Sequence, residues 1–161
     1  MTDQALIEAL RHSRLAAELT DQEVQTLAAN LQFRDLEPGD VLVDQGTSDN
    51  HLYVIVRGAL GVVRNAGTPE RMTLLTLTSG DLVGELSFID ETPHYGSLVA
   101  TTSTRVFGLE RERLEALLTT HPVIVYRVMR AIVRTVHEIQ RRISMHATEL
   151  TNYIYKQHGK Y

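Results

Sequence analysis

The apolar residues near the N-terminus recur with the three- and four-residue spacing of a helix. The first amphipathic helical segment is predicted from Leu6, Ile7, Leu10, Leu15 and Leu19. A second helix is predicted to begin after Thr20, because Thr20 and Glu23 have the spacing of a capping box, in which each side chain satisfies a free backbone N–H group. The inner face of the second helix is expected to carry Val24, Leu27, Ala28 and Leu31.

Between about residues 33 and 109 the pattern changes from helical to strand-like. Short runs of β-branched and other apolar residues alternate with turns that contain Gly, Asp and Asn. Segment 65–69 combines Asn, Gly and Pro and is predicted to be an exposed hairpin tip. Strands are predicted at 41–43, 52–56, 59–64, 72–77, 97–100 and 105–109. Short strands at this regular spacing favour a β-roll or a jelly-roll barrel.

Apolar residues near the C-terminus alternate at spacings of four and three, which is a heptad pattern over about four repeats. This pattern predicts one long helix with a dimerisation seam. The seam is predicted to contain Val125, Met129, Ile132, Val136, Ile139, Ile143, His146 and Leu150, and the pattern continues to Tyr153. So wide a stripe is also explained by packing on the β-roll of the same chain, and the two interpretations are compatible.

The predicted fold class is therefore α+β, with N-terminal helices, an eight-stranded β-roll or jelly roll, and a long C-terminal helix. Residues 1–121 are expected to form the roll with its N-terminal helices, and residues 122–161 the dimerisation or lid helix. A chain of 161 residues with 43% hydrophobic content is long enough for one ordinary core.

Composition excludes several classes of chemistry. The chain has no cysteine, which excludes disulfides, thiolate nucleophiles and cysteine-based metal sites. No apolar run reaches the roughly 18 residues of a membrane span, and the first residues lack the pattern of a secretory signal. We therefore expect a cytoplasmic protein that has no membrane contact.

Charge is distributed unevenly along the chain. Residues 1–121 contain nine basic and eighteen acidic residues, whereas residues 122–161 contain seven basic and two acidic ones. The acidic balance of the roll argues against a nucleic-acid surface there. The basic helix is expected to complement the protein's own acidic face or to be solvated, rather than to bind DNA.

Segment 84–97 carries the candidate chemistry. Gly84, Glu85, Leu86 and Ser87 follow a turn and are predicted to open one helical turn, whose free backbone N–H groups can receive an anion. A carboxylate beside an anion site is unfavourable unless it accepts hydrogen bonds from a ligand hydroxyl. Phosphate on the amides and a sugar hydroxyl on Glu85 together indicate a nucleotide.

This segment resembles the phosphate-binding cassette of the cyclic-nucleotide-binding domain family, which includes catabolite-activator-type regulators and protein kinase A regulatory subunits. The resemblance covers nearly the whole chain, at segments 37–42, 45–46, 52–58, 84–97 and 109–118. Glycines at Gly39, Gly46, Gly58 and Gly84 stand where turns of the family's β-roll require them.

One residue departs from the family pattern. The resemblance implies an arginine after the cassette proline that clamps the cyclic phosphate, but that position is His94, and no arginine lies between Arg71 and Arg105. A hydrogen bond to a charged group contributes about 1.5–3 kcal/mol. Its loss would weaken phosphate binding about 10- to 150-fold.

His94 has three interpretations. In the first, His94 binds the phosphate more weakly than an arginine does, and more tightly in mild acid, where imidazole is protonated. In the second, His94 and Tyr95 fill a degenerate pocket that binds nothing. In the third, the pocket holds a different ligand, such as another phosphate, a carboxylate or a haem. By the first interpretation His94 and Ser97 contact phosphate, and the resemblance places Gln140 of the last helix near the base.

No arrangement typical of catalysis or of metal binding is visible, so we expect neither enzyme activity nor a metal or bound cofactor. The expected function is a free-standing dimeric sensor or adaptor, without a DNA-reading domain, that binds cAMP or cGMP with altered affinity and acts through an unknown protein effector. A ligand-free dimeric scaffold is the competing hypothesis. A transcription regulator that uses the basic helix on DNA is the third.

Overall fold

The computed structural model describes residues 3–158, and within them every side chain except those of Ile143, Tyr153, Tyr155, Gln157 and His158. The predictions for Ile143 and Tyr153 therefore concern side chains outside the described set.

The N-terminal region consists of helices α1 (Gln4–Arg11) and α2 (Asp21–Ala28), with a 3-10 turn at Arg14–Ala16 between them. The predicted capping box at the start of α2 is confirmed. The Thr20 backbone N–H donates to Glu23 Oε2 at 2.8 Å, and the Glu23 N–H donates to Thr20 Oγ1 at 3.3 Å.

Two details of the helix prediction are wrong. The first amphipathic segment is not one helix, because α1 ends at Arg11 and the buried Ser13 hydroxyl donates to the carbonyl of Leu10, close to the end of the helix. Leu31 is not on α2. It begins the first strand and pairs with Leu109, so its burial belongs to the sheet.

Eight strands form two four-stranded antiparallel sheets, which confirms the predicted eight-stranded β-roll. One sheet has the order β1-β8-β3-β6 and the other the order β2-β7-β4-β5. The strands are β1 (Leu31–Leu36), β2 (Val41–Val43), β3 (His51–Arg57), β4 (Ala59–Arg64), β5 (Met72–Thr78), β6 (Leu82–Val83), β7 (Ser97–Ala100) and β8 (Thr104–Glu110).

Strand β3 separates the two parts of the core. Successive side chains of a strand point to opposite faces of the sheet. Leu52 and Val54 therefore pack with the helices, while Tyr53 and Ile55 lie in the interior of the roll.

Three helices complete the fold: α3 (Glu85–Asp90), α4 (Arg111–Ala116) and α5 (Pro122–His158). The first part of α5 belongs to the core of its own chain, where Ile132 is fully buried and Val125 and Met129 are partly buried. Packing on the roll thus accounts for the first half of the heptad stripe. Dimerisation stays a prediction, and His146 and Leu150 are exposed in this single chain.

The basic residues of α5 contact acidic residues of the N-terminal region. Arg127 donates to Glu23 at 2.6 Å, and Glu18 lies 3.0 Å from Arg134 and 3.2 Å from Arg130. The contact between Glu18 and Arg130 is an ion pair without the alignment of a hydrogen bond. These contacts agree with the expectation that the basic helix complements the protein's own acidic face, and they fix α5 beside the N-terminal helices.

Candidate functional site

The cassette begins at a backbone conformation that favours glycine. Gly84 has φ +82°, and a Cβ atom there would lie 3.2 Å from the carbonyl oxygen of His51. Helix α3 begins directly after Gly84, so the N–H groups of its first turn have no acceptor within the helix. The chain turns again at Glu91, whose φ is +62°.

The cassette borders a cavity of about 440 Å³. Strands β4, β5 and β7 form one wall, and helix α5 contributes Val136, Ile139 and Gln140. The remaining lining residues are Val62, Leu75, Leu77, Leu82, Val83, Gly84, Glu85, Leu86, Ser87, Thr92, Pro93, His94, Tyr95, Gly96 and Leu98. A volume above about 300 Å³ is in the range of small-molecule sites.

Seven of the eight predicted ligand residues meet at this cavity. They are Gly84, Glu85, Leu86, Ser87, His94, Tyr95 and Gln140. Ser97 lies outside the lining, and its hydroxyl oxygen accepts a hydrogen bond from the Gln45 N–H at 2.9 Å. Tyr95 is 55% exposed.

Ser87 joins the cassette to the loop that precedes β3. Its hydroxyl oxygen accepts from the Asp49 N–H and its hydroxyl donates to the Asp49 carbonyl oxygen, both at 2.8 Å. The side chain is 1% exposed, so both of these hydrogen bonds are shielded from water. Ser87 thereby holds residue 49 beside the cassette.

Asp49 is the residue that the sequence prediction missed. Its Oδ1 atom lies 3.3 Å from Nε2 of His94, whose side chain is 8% exposed, and its Oδ2 atom accepts from the Tyr53 hydroxyl at 3.2 Å. Asp49 and His94 are 45 residues apart in the chain. The imidazole therefore contacts a carboxylate that is not among the residues lining the cavity.

Burial and charge act together on this polar group. Burial tends to raise the pKa of Asp49, but the hydrogen bond and charge of His94, together with Tyr53, lower it on balance. Burial, followed by the charge of Asp49, raises the pKa of Tyr53 to about 12. Asp49 is thus ionised and Tyr53 is protonated near neutral pH.

Glu85 is a partly buried carboxylate at the cavity. Burial raises its pKa, against the opposing effects of a hydrogen bond from its own backbone N–H and the charge of His94. The ionised form is therefore less favourable in the folded chain than in the unfolded chain.

Glu85→Gln is expected to stabilise the protein at pH 8 and to have no such effect near pH 4. Because folding raises the pKa of Glu85, its protonated carboxyl group contributes stability below about pH 4.3, where a glutamate titrates in the unfolded chain. That stability is lost as the pH rises through the pKa of Glu85 in the folded chain. Urea unfolding at pH 4, 6 and 8 measures the difference. Glu70→Gln, on the exposed hairpin, is the control, and an equal effect of Glu85→Gln at all three pH values would contradict the burial argument.

No group of three or more His, Asp or Glu side chains in the described part of the chain is placed to hold a metal ion. Within residues 3–158, no helix combines the length and the apolar character needed to cross a membrane.

Comparisons with known proteins give the same fold. The N-terminal domain of a transcriptional regulator from Streptomyces coelicolor superposes with a TM-score of 0.69 at 27% identity, over 81% of this chain and 94% of that one. A regulatory subunit of a cAMP-independent protein kinase A from Trypanosoma brucei superposes with a TM-score of 0.70 at 26% identity, over 83% of this chain and 45% of that one.

The sequence comparisons identify the family. A CRP-like cAMP-activated global transcriptional regulator from Mycobacterium tuberculosis is 24% identical over 121 residues, which are 75% of this chain and 54% of that protein. The chain thus spans about half the length of this relative. Residues 33–121, more than half of the chain, match the family model for the cyclic nucleotide-binding domain. The chain therefore belongs to the cyclic nucleotide-binding domain family.

Proposed function

We propose that this protein is a regulatory domain that senses a small ligand in the 440 Å³ cavity and reports its presence through α5. The observation that carries the proposal is the shared lining: residues of the cassette and residues Val136, Ile139 and Gln140 of α5 border the same space. A ligand that contacts both favours one position of α5 over others.

The proposed ligand binding differs from that of family members with a cassette arginine. A cyclic nucleotide would place its phosphate near the first-turn amides of α3 and near His94, with Glu85 on a sugar hydroxyl. Because His94 lies beside Asp49, it offers less to a phosphate than a free cation would. We therefore propose that cAMP and cGMP bind weakly. The Trypanosoma relative is itself described as belonging to a cAMP-independent kinase.

The proposal includes a regulatory role without enzyme activity, in the cytoplasm, as a homodimer. Exposed apolar side chains on α5 support the dimer. Val133, Met145 and Leu150 are between 48% and 62% exposed in the single chain. Burial of such side chains against a second copy favours association. The effector would be a protein that contacts this dimer.

One observation favours the competing hypothesis of a ligand-free scaffold. The contact between His94 and Asp49 occupies the residue that the family uses for phosphate. The scaffold hypothesis also expects a filled pocket, however, and the open cavity favours ligand sensing.

Thermal unfolding with millimolar cAMP and cGMP, at pH 6 and pH 8, tests nucleotide sensing. A ligand that binds only the folded chain raises the midpoint temperature of unfolding. At a ligand concentration of 100 times the dissociation constant, the free energy of unfolding rises by about 2.7 kcal/mol. We expect both nucleotides to raise the midpoint, because the first-turn amides of α3 and the His94 imidazole can donate hydrogen bonds to the phosphate.

Two variants of α5 show whether the shift comes from the cavity. Ile139→Trp adds bulk to the lining and should abolish the shift, whereas Val123→Trp makes a similar change at an exposed residue outside the lining and should retain it. An unchanged midpoint with both nucleotides at both pH values would refute nucleotide sensing and favour the scaffold.

A further inference from the structure

We infer that the cavity selects an uncharged small molecule with an apolar body and a hydroxyl group that donates to Glu85, in preference to a phosphate ester. This inference rests on the proposed function, because it requires that a ligand occupies the cavity. It goes further by assigning the chemical class of that ligand.

The first argument is the apolar character of the lining. Ten of its eighteen residues are apolar side chains, namely Val62, Leu75, Leu77, Leu82, Val83, Leu86, Pro93, Leu98, Val136 and Ile139. Removal of apolar surface from water is the main favourable term in binding. An apolar ligand body gains this term along most of the cavity wall, whereas a phosphate gains none of it.

The second argument is the charge around the cavity. Glu85 and His94 are the acidic and basic residues among the eighteen described lining residues, and neither lysine nor arginine is present there. His94 is already paired with Asp49 at 3.3 Å. A bound phosphate would therefore lie near the Glu85 carboxylate and an imidazole that already contacts Asp49. An incompletely paired buried charge is strongly unfavourable.

The third argument is the hydrogen-bonding capacity of Glu85. Glu85 is partly buried and borders the cavity. A carboxylate accepts up to four hydrogen bonds, so a ligand hydroxyl can donate to it. A donor that satisfies a partly buried acceptor adds specificity without adding charge.

Three naphthalene derivatives test the inference on the full chain. 2-Naphthol has an apolar body and a hydroxyl donor, 2-methoxynaphthalene lacks the donor, and 2-naphthyl phosphate carries the anion. Each is titrated at pH 7 while the backbone amide resonances of residues 84–87, 94–96 and 136–140 are followed by NMR. We expect 2-naphthol to bind about 2- to 10-fold more tightly than 2-methoxynaphthalene, and 2-naphthyl phosphate to bind least tightly.

Glu85→Leu assigns the donor preference to the carboxylate. Both uncharged compounds should still bind to this variant, with equal affinity, while Glu70→Leu on the exposed hairpin should keep the preference for 2-naphthol. Retention of the full preference in Glu85→Leu would contradict the assigned role of Glu85.

The remaining outcomes separate this inference from the proposed function. If 2-naphthyl phosphate binds at the cavity as tightly as 2-naphthol or more tightly, the inference is overturned and ligand sensing survives. If none of the three compounds shifts a cavity resonance, the inference is overturned, while ligand sensing still depends on the thermal shift with cAMP and cGMP.

Discussion

Gly58→Ala is expected to destabilise the fold by more than about 3 kcal/mol, because no space exists for a methyl group at this turn. Gly58 has φ +86°, and an added Cβ would lie 2.5 Å from the carbonyl oxygen of Ser103 and 2.7 Å from Cα of Thr104. Both neighbours are backbone atoms, so relief requires movement of the chain. The turn connects β3 of one sheet to β4 of the other, and such movement would disturb both sheets.

Thr104 increases the cost of that movement. Its buried hydroxyl group accepts from the Ala59 N–H at 3.1 Å and hydrogen-bonds to the Thr102 carbonyl oxygen at 2.8 Å. An added methyl group at residue 58 would also lie 2.5 Å from this hydroxyl oxygen. Displacement of Thr104 would leave buried polar groups without partners, which is costly in itself.

Gly80→Ala is the matched control for Gly58→Ala. Gly80 has φ +91°, but nothing lies within 4 Å of an added Cβ atom. Gly80→Ala should lower the free energy of unfolding only by the cost of placing a side chain on a left-handed backbone, about 1–2 kcal/mol. Equilibrium unfolding in urea compares both variants with the parent chain. Equal losses at the two glycines would show that the close contact at Gly58 contributes nothing.

The double variant Asp49→Asn with His94→Arg is expected to bind cAMP about 10- to 150-fold more tightly than the parent chain. An arginine donates charge-assisted hydrogen bonds, each worth about 1.5–3 kcal/mol, to a phosphate. Asn at residue 49 removes the carboxylate that would otherwise attract the new guanidinium, and its amide oxygen still accepts from the Tyr53 hydroxyl. Calorimetric titration with cAMP measures the change.

Two single variants make that result interpretable. His94→Arg alone should gain less affinity, because Asp49 competes with the phosphate for the guanidinium. His121→Arg makes the same exchange at an exposed residue outside the cavity lining and should leave the affinity unchanged. A double variant with the affinity of the parent chain would refute the view that His94 and Asp49 limit phosphate binding.

Local patterns predicted most of the fold because they depend on near neighbours in the chain. The capping box between Thr20 and Glu23 is confirmed, since it needs only a spacing of three residues. Two strands, β1 and β6, are absent from the six predicted ones. Strand β6 has two residues, which are too few for a periodic pattern. Leu31 was assigned to a helix because apolar spacing does not reveal where a helix ends.

The cassette was predicted from its residues, but its electrostatic surroundings were not. Asp49 contacts His94 because Ser87 of α3 holds the loop that contains Asp49. Such a contact across 45 residues leaves no periodic signal in the sequence. The heptad stripe on α5 was ambiguous for a different reason. A residue such as Ile132 has the same spacing whether it packs on its own roll or on a partner.

The position of α5 has a mechanical consequence. Ile132 is fixed in the core, Gln140 borders the cavity eight residues later, and Leu150 is exposed ten residues beyond that. At a rise of 1.5 Å per residue, these points lie about 12 Å and about 27 Å from the anchored residue along a straight helix. A ligand that tilts the helix about that anchor and displaces Gln140 by about 1 Å would displace residue 150 by about 2 Å. If α5 reports a bound ligand as proposed, it would act as a lever that roughly doubles the motion at its exposed end.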